Sequence, residues 1–263
     1  MRKLSILGCG WLGLPLAKAL IANGFSVNGS TTSPGKIETL QAAGIHPFLI
    51  SLTANGIEGD IETFLRGSEI LVIDIPPKLR GTTTESFVDK IKFLIPHIEA
   101  TGITKVMFAS STSVYAEDNL VVTEETIAQP ETESGKQLLE SEKLLMGSTQ
   151  FKSTVLRFGG LTGEDRQPVK FLSGKENLEN PLGPVNLIDQ KDCIGIILKI
   201  IEKEIWGEIF NAVSPHHPTR EDHYTKKAGE LNLPLPKFSY EKPSKGKTVS
   251  SQKLTEVLGY KFE

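Results

Sequence analysis

Residues 3–13 read KLSILGCGWLG and lie close to the start of the chain. A short apolar run is followed by glycines at positions 8, 10 and 13, and then by apolar residues at helical spacing. A G-x-G-x-x-G turn between a strand and a helix is typical of a diphosphate site, because the glycines permit a tight turn and close approach of the backbone. The first amides of the helix then face the anion. We therefore expect a dinucleotide at Gly8, Cys9, Gly10, Trp11, Leu12 and Gly13.

The polar run after the second predicted strand bears on which dinucleotide binds. A carboxylate at the end of that strand would accept a hydrogen bond from the ribose 2′-OH and repel a 2′-phosphate. Residues 28–36 read NGSTTSPGK and contain no carboxylate. We therefore expect NADP, with NAD as the alternative, or else a polar loop without a role in specificity. The expected contacts are Ser30, Thr31, Thr32, Ser33 and Lys36.

The rest of the chain alternates short apolar runs with segments of helical period, a pattern typical of repeated βα units. Strands are predicted at 3–7, 26–30, 46–51, 70–75, 105–109, 153–158 and 208–213, and later helices at 191–204 and 220–231. We predict one α/β domain over residues 1–263, with a doubly wound parallel sheet of about seven strands. Glycine and proline break the pattern after residue 158, so a small C-terminal substrate lobe is expected from about 164–185 and 214–263.

Charge and composition exclude several classes of partner. A formal net charge of -3 leaves no basic excess for a phosphate backbone, so we expect no nucleic acid. No apolar stretch is long enough to span a bilayer, and the first apolar run is too short for a secretory signal, so we expect no membrane. Only two cysteines, Cys9 and Cys193, are present, which suits a reducing compartment. We therefore expect a cytoplasmic protein.

Three segments resemble the extended short-chain dehydrogenases/reductases of the NAD-dependent epimerase/dehydratase family. Residues 105–115, KVMFASSTSVY, resemble the family's SSxSVYG segment; residues 156–163, LRFGGLTG, resemble LRxxxxYG; and residues 185–192, VNLIDQKD, resemble xNxIHVDD. The resemblance covers nearly the whole chain and implies an NAD(P)-binding Rossmann fold and a small-molecule substrate of the sugar or nucleotide-sugar type. It also implies a catalytic serine at Ser111 and a homodimer formed through the long helices after strands four and five.

The resemblance breaks at the family's Tyr-x-x-x-Lys pair, in which the lysine lowers the tyrosine pKa for proton transfer. In the better alignment Ser134 replaces the tyrosine and Leu138 the lysine. Sliding by two residues keeps Lys136 as the lysine but puts Thr132 at the tyrosine. The pKa of an unactivated hydroxyl is too high for this role, so the chain is similar to atypical members of the superfamily that lack the usual catalytic residues.

Hydroxyl side chains end the fifth predicted strand, at the edge where open α/β sheets bind ligands. We expect Ser110 to contact the cofactor and Thr112 the substrate, with the alternative that such hydroxyls only cap and turn the chain. Pro76 and Pro77 follow the fourth strand and are expected to shape the loop beside the cofactor.

Several charged or imidazole side chains have two interpretations. Lys78 and Arg80 contact a phosphate or are solvated. Arg166 lies where the family's substrate loop begins, so we expect it to bind a substrate anion, with a surface role as the alternative. His216 and His217 are adjacent, and no cysteine or carboxylate completes a metal site at a recognised spacing, so we expect no metal.

Two functions follow from these residues. The leading hypothesis is an NADP-binding oxidoreductase-like enzyme of the epimerase/dehydratase group, in which Ser111 and Tyr115 assist hydride transfer. The family counterpart of Tyr115 is largely a scaffold residue, which weakens its part in this hypothesis. The alternative is a catalytically silent NADP-binding sensor or regulatory module.

Overall fold

Strands and helices alternate along the computed structural model, which describes residues 2–53, 55–77, 85–118 and 120–263. The strands are β1 Lys3–Leu7, β2 Ser26–Thr31, β3 His46–Leu49, β4 Ser51–Thr53, β5 Gly56–Glu58, β6 Ile70–Ile73, β7 Lys105–Ser111, β8 Val121–Val122, β9 Lys152–Phe158, β10 Gly160–Thr162, β11 Leu187–Asp189, β12 Ile209–Ala212 and β13 Thr248–Val249. The helices are α1 Gly13–Ala22, α2 Ile37–Ala42, α3 Ile61–Leu65, α4 Phe87–Thr101, α5 Glu133–Met146, α6 Gln190–Lys203, α7 Arg220–Glu230 and α8 Gln252–Leu258.

Seven parallel strands form the central sheet, in the order β12-β9-β7-β6-β1-β2-β3. The chain runs outward from β1 to β3, crosses to β6 on the other side of β1, and continues outward to β12. This order confirms the predicted doubly wound α/β fold, and each predicted strand of the sheet matches its observed bounds within two residues. The direction reverses between β1 and β6, so a crevice is expected at their carboxyl ends.

The two faces of the sheet are covered by different helices. On β6, Ile70 and Val72 belong to the apolar cluster that includes α1, α2, α6 and α8, while Leu71 and Ile73 belong to the cluster that includes α3, α4 and α5. Successive side chains of a strand point to opposite faces, so a strand covered on both sides is apolar at most positions. This explains why the central strands appear in the sequence as continuous apolar runs.

A smaller apolar cluster holds the C-terminal lobe together. Val169, Val185, Tyr224 and Ala228 are buried in it, so both segments predicted for the lobe contribute to it. The predicted lobe extended to residue 263, but α8 packs elsewhere: Leu254 and Leu258 belong to the main core beside α6. The sequence analysis missed this helix, whose two leucines at i and i+4 form a single apolar stripe.

None of the helices formed by the described residues is both long and apolar enough to cross a membrane.

The glycine turn supplies a test of how tightly the chain packs at the start of α1. A Cβ added to Gly13 would lie 2.2 Å from the carbonyl oxygen of Gly8, whereas a Cβ added to Gly10 would meet no atom within 4 Å. We expect Gly13→Ala to lower the free energy of unfolding by about 2 kcal/mol or more, because backbone must move. Gly10→Ala should change it by less than about 0.5 kcal/mol. Urea unfolding followed by circular dichroism measures both, and equal midpoints for the two variants would contradict the packing described here.

Candidate functional site

A crevice opens over the glycine turn where the sheet changes direction. The backbone N–H of Cys9 donates to the carbonyl of Ser30 at 2.7 Å, and that of Gly8 donates to Ser30 Oγ at 2.9 Å. Gly8 has a φ of 108°, a conformation that side chains rarely adopt. At the start of α1 the Gly13 N–H donates to the Asp74 carboxyl, the Leu14 N–H donates to the Gly10 carbonyl at 3.2 Å, and Pro15 has no N–H. The amides of Trp11 and Leu12 are those that the turn leaves to a ligand. The buried end of β2 thus holds the turn in the shape that an anion needs.

A first cavity of about 530 Å³ extends from the glycine turn past the end of β2. Ser33, predicted to bind the cofactor, does not line it; its amide instead donates to Thr31 Oγ1 at 3.1 Å. Among the described residues that line this cavity, β2 and the segment after it contribute no carboxylate. The predicted cofactor residues that do line it are Gly8, Cys9, Gly10, Ser30, Thr31, Thr32, Lys36, Pro76 and Pro77.

A second cavity of about 370 Å³ lies on the other side of the turn, towards the end of β7. The two cavities share Gly10 and residues 74–77, so together they form one crevice that crosses the start of α1. The structure therefore places Pro76 and Pro77 beside both halves of the crevice. Other predicted site residues that line the second cavity are Trp11, Leu12, Ser110, Ser111 and Arg166.

Trp11 ties the glycine turn to the loop after β10. Its indole Nε1 donates to Asp165 Oδ1 at 2.8 Å, and Gln190 Nε2 donates to its carbonyl oxygen at 2.7 Å. The guanidinium of Arg166 lies 5.0 Å from the centre of the indole ring. Arg166, predicted to bind a substrate anion, therefore stacks on the cofactor turn, with its exposed head at the mouth of the second cavity.

Asp74 is a site residue that the sequence analysis missed. It follows β6, lines both cavities, and accepts a hydrogen bond from the backbone N–H of Gly13. Burial raises the pKa of its carboxyl to about 7, an effect that the Gly13 hydrogen bond only partly offsets. The group therefore changes charge near neutral pH beside the start of α1. A lone acid directly after the apolar run of the fourth predicted strand was the signal that could have revealed it.

The hydroxyls of Ser110 and Tyr115 belong to a buried network around an ion pair. Glu142 and Arg157 pair at 2.6 Å with side chains that are almost fully buried. Ser110 Oγ donates to Glu142 at 2.5 Å, and Arg157 donates to the Tyr115 hydroxyl at 2.7 Å. Tyr115 in turn donates to Asn211 Oδ1 at 2.9 Å, and it is only 1% exposed. Its phenol thus connects the segment after β7 to β9 and β12, and it does not line either half of the crevice.

This placement disagrees with a proton-transfer role for Tyr115. Burial raises the pKa of its phenol, and the adjacent Arg157 guanidinium offsets only part of that effect. Proton transfer also requires a substrate within hydrogen-bond reach, which the two partners of the hydroxyl prevent.

Ser111 is the predicted catalytic residue that the crevice does contain. Its side chain lines the second cavity, and Oγ accepts from the backbone N–H of Ser113 at 3.1 Å. Thr112 is buried and lines a third cavity, which shares Ser111 and Gly159 with the second. Ser111 therefore lies between the crevice and Thr112, the predicted substrate contact.

Helix α5 places apolar Leu138 beside Ser111 in the second cavity. This is the residue that the better alignment gives to the family's lysine. Thr132, the tyrosine position of the shifted alignment, caps α5 by accepting from the Gly135 amide at 3.1 Å. Among the described residues that line the second cavity there is neither tyrosine nor lysine.

The remaining predicted features lie apart from the crevice. His217 Nδ1 lies 3.2 Å from the carbonyl oxygen of Val185, and His216 is exposed. In the part of the chain that the structure describes, no three His, Cys, Asp or Glu side chains gather as metal ligands would. Lys78 and Arg80 lie outside the described residues.

Solved structures share this fold over the whole chain. A short-chain dehydrogenase/reductase superfamily protein from Agrobacterium tumefaciens with bound NAD is 18% identical, with a TM-score of 0.78 over 100% of this chain and 93% of that one. UDP-glucuronic acid 4-epimerase from Bacillus cereus in complex with NAD is 18% identical, with a TM-score of 0.81 over 100% and 92%. A conserved protein of unknown function from Silicibacter pomeroyi reaches 0.82 at 22% identity over 100% and 94%. The fold is that of short-chain dehydrogenases/reductases.

A closer relationship exists at the level of sequence. No family model matches the chain. Protein YeeZ of Escherichia coli K12 is 33% identical over 265 residues, which cover 100% of this chain and 96% of that protein. The chain belongs to the YeeZ family.

The raised pKa of Asp74 predicts a pH-dependent stability. Folding raises the pKa of this carboxyl from 3.8 to about 7. As the pH rises through this range, ionisation of the buried carboxyl lowers the free energy of unfolding. Asp74→Asn removes this cost. We expect the stability of the variant relative to the wild type to increase by about 1–3 kcal/mol between pH 5 and pH 8.

Urea unfolding at each pH measures this difference. Asp118→Asn, a change at an exposed carboxyl, serves as the control and should run parallel to the wild type. An Asp74→Asn profile that also runs parallel would show that Asp74 ionises as it does in the unfolded chain.

Proposed function

We propose that this protein binds NADP in the crevice over the glycine turn and is an oxidoreductase of the epimerase/dehydratase group. Its substrate would be a small molecule of the sugar or nucleotide-sugar class. The observation that carries the proposal is the continuity of the first and second cavities across the glycine turn. A ligand with a diphosphate in its middle and a ring system at each end suits such a crevice.

The residues of the crevice fit a dinucleotide. The space beside Gly10 is open, because a Cβ there would meet no protein atom within 4 Å, so a diphosphate can approach the backbone. The first cavity would hold the adenosine half, and the second would hold the nicotinamide half beside Ser111 and Leu138. When bound, the dinucleotide donates or accepts a hydride.

The preference for NADP rests on the end of β2. Thr31, Thr32 and Lys36 line the first cavity there, and the described lining at this end brings no carboxylate that would repel a 2′-phosphate. Two hydroxyls and one ammonium are donors that a phosphate monoester accepts from. This distinguishes the chain from a protein with an aspartate at the same point, for which NAD would be expected.

Ser111 would supply the polar contact to the reacting oxygen of the substrate. It lies at the carboxyl end of β7, and its hydroxyl can donate while it accepts from the Ser113 amide. The buried network behind it, from Glu142 to Tyr115, holds β7 against α5 and β9. Tyr115 is therefore a positioning residue in this proposal.

The sensor hypothesis is not favoured. A silent sensor has no need of a reaction site beside the nicotinamide, whereas the second cavity is open and is lined by Ser111. The B. cereus protein that shares the fold is an epimerase of UDP-glucuronic acid, and this supports the proposed substrate class. The homodimer and the cytoplasmic location stay predictions.

Cofactor binding is the first test of this proposal. Titration of the wild type by intrinsic fluorescence should give tighter binding of NADPH than of NADH. Lys36→Ala should weaken the binding of NADPH about tenfold and leave the binding of NADH nearly unchanged, because the lost ammonium faces only the 2′-phosphate. Gly10→Ala should weaken the binding of both dinucleotides, since its methyl group enters the space of the diphosphate while the fold is unaffected. Failure of the wild type to bind either dinucleotide at millimolar concentration would refute the proposal.

The roles of Ser111 and Tyr115 are separated by kinetics. NADPH oxidation would be followed with a panel of ketones, aldehydes and sugars. For an active substrate, Ser111→Ala should lower kcat by about 100-fold without weakening NADPH. Tyr115→Phe should lower the free energy of unfolding by about 1–3 kcal/mol, since it leaves two buried partners unpaired, and should change kcat by less than about threefold. If folded Tyr115→Phe lost as much kcat as Ser111→Ala, the phenol would be a catalytic group and not a positioning one.

A further inference from the structure

The third cavity, of about 450 Å³, lies between the central sheet and the C-terminal lobe. It meets the second cavity at Ser111 and Gly159, so a molecule that reaches Ser111 can extend into it. Its far wall comes from the lobe: Asn180, Arg220 and Lys245 lie there. The lobe thus encloses a space that continues from the proposed reaction site but does not include the glycine turn.

The charges that line the third cavity are unbalanced. Its described lining contains three cations, Arg220, Lys245 and Lys247, and one carboxylate, Glu117. Lys247 is buried, pairs with Glu117, and donates to the carbonyl oxygen of Tyr115 at 3.1 Å. That pair accounts for the single acid, so Arg220 and exposed Lys245 supply an excess of positive charge. An anion is the complement of such a wall.

Arg220 differs from the other residues of the third cavity in its hydrogen bonding. Within the residues that the structure describes, its Nε is the one buried side-chain nitrogen or oxygen without a hydrogen-bond partner. Burying an N–H donor without an acceptor costs free energy, so native structures rarely keep one without a purpose.

The position of the Arg220 guanidinium is fixed by other contacts. The guanidinium carbon of Arg220 lies 5.6 Å from the centre of the Tyr224 ring, and Tyr224 is buried in the core of the lobe. Arg220 is also the first residue of α7, where its backbone N–H donates to Gly183 at 2.9 Å. The aromatic ring and the helix therefore hold the guanidinium at the wall of the cavity, with a donor still to be satisfied.

We propose that Arg220, assisted by Lys245, binds an anionic group of the substrate, a carboxylate or a phosphate, in the third cavity. The inference rests on the proposed function for the position of the reacting carbon, which would lie at Ser111. It assigns substrate recognition to the lobe. Arg166, for which the sequence predicted a substrate anion, lines the second cavity and stacks on Trp11.

Isothermal titration calorimetry at low ionic strength tests this assignment on the full chain, without NADPH and with it. The probes are inorganic phosphate, glucuronate and UDP-glucose, with glucose as the neutral control. We expect at least one anionic probe to bind to the wild type, and we expect Arg220→Gln to lower the affinity for that probe about tenfold or more. Arg220→Lys should recover part of the affinity, because it restores the charge but not the fork of donors. Lys237→Gln, a change at an exposed cation of the same lobe, should match the wild type.

The outcomes separate this assignment from the proposed function. Binding of glucuronate alone identifies a carboxylate, and binding of phosphate or UDP-glucose identifies a phosphate. NADPH affinity should be the same in Arg220→Gln and the wild type, which also shows that the variant is folded. Anion affinities unchanged in Arg220→Gln, or no anion bound by the wild type, would overturn the assignment. Absence of NADPH binding by the wild type would refute the dinucleotide proposal instead, and the titrations without NADPH would still decide on Arg220.

Discussion

The site depends on the tight packing of Gly13 against the carbonyl of Gly8, which leaves no room for a side chain at Gly13. It brings the start of α1 within reach of the ends of β1 and β6, where the sheet changes direction. Side chains at these positions would push the helix away and separate its amides from the crevice. The same closeness places the Asp74 carboxyl beside the Gly13 amide, so the packing that creates an anion site also buries an acid next to it.

The buried ion pair of Glu142 and Arg157 is the second determinant of the site. Two charges removed from water are tolerated only when their remaining hydrogen bonds are satisfied, and here Ser110 and Tyr115 do so. The network joins α5, β7 and β9 directly beneath Ser111. Of the two hydroxyls that the sequence made catalytic, Ser111 lines the cavity and Tyr115 belongs to the buried network behind it.

Local patterns were sufficient to predict the sheet, because its central strands are apolar on both faces and each is followed by a helix or a glycine turn. They were not sufficient for Tyr115, whose environment is set by Arg157 and Asn211, residues distant in the sequence. Arg220 illustrates the same limit: its spacing is that of an ordinary helix start, and only the assembled lobe leaves its Nε buried and unpaired. Motifs predict what one segment does, whereas burial and charge balance depend on several segments together.

The third cavity has a consequence for how the protein matures. Lys245 and Lys247 belong to a segment that is held against the central domain by Asn186, which bonds the carbonyl of Lys247 at 2.7 Å and the amide of Val249 at 2.9 Å. During translation the glycine turn and the first strands leave the ribosome long before this segment does. Lys245 and Lys247 follow all seven strands of the central sheet in the chain, so the wall of the third cavity can close only after every strand of that sheet has been synthesised.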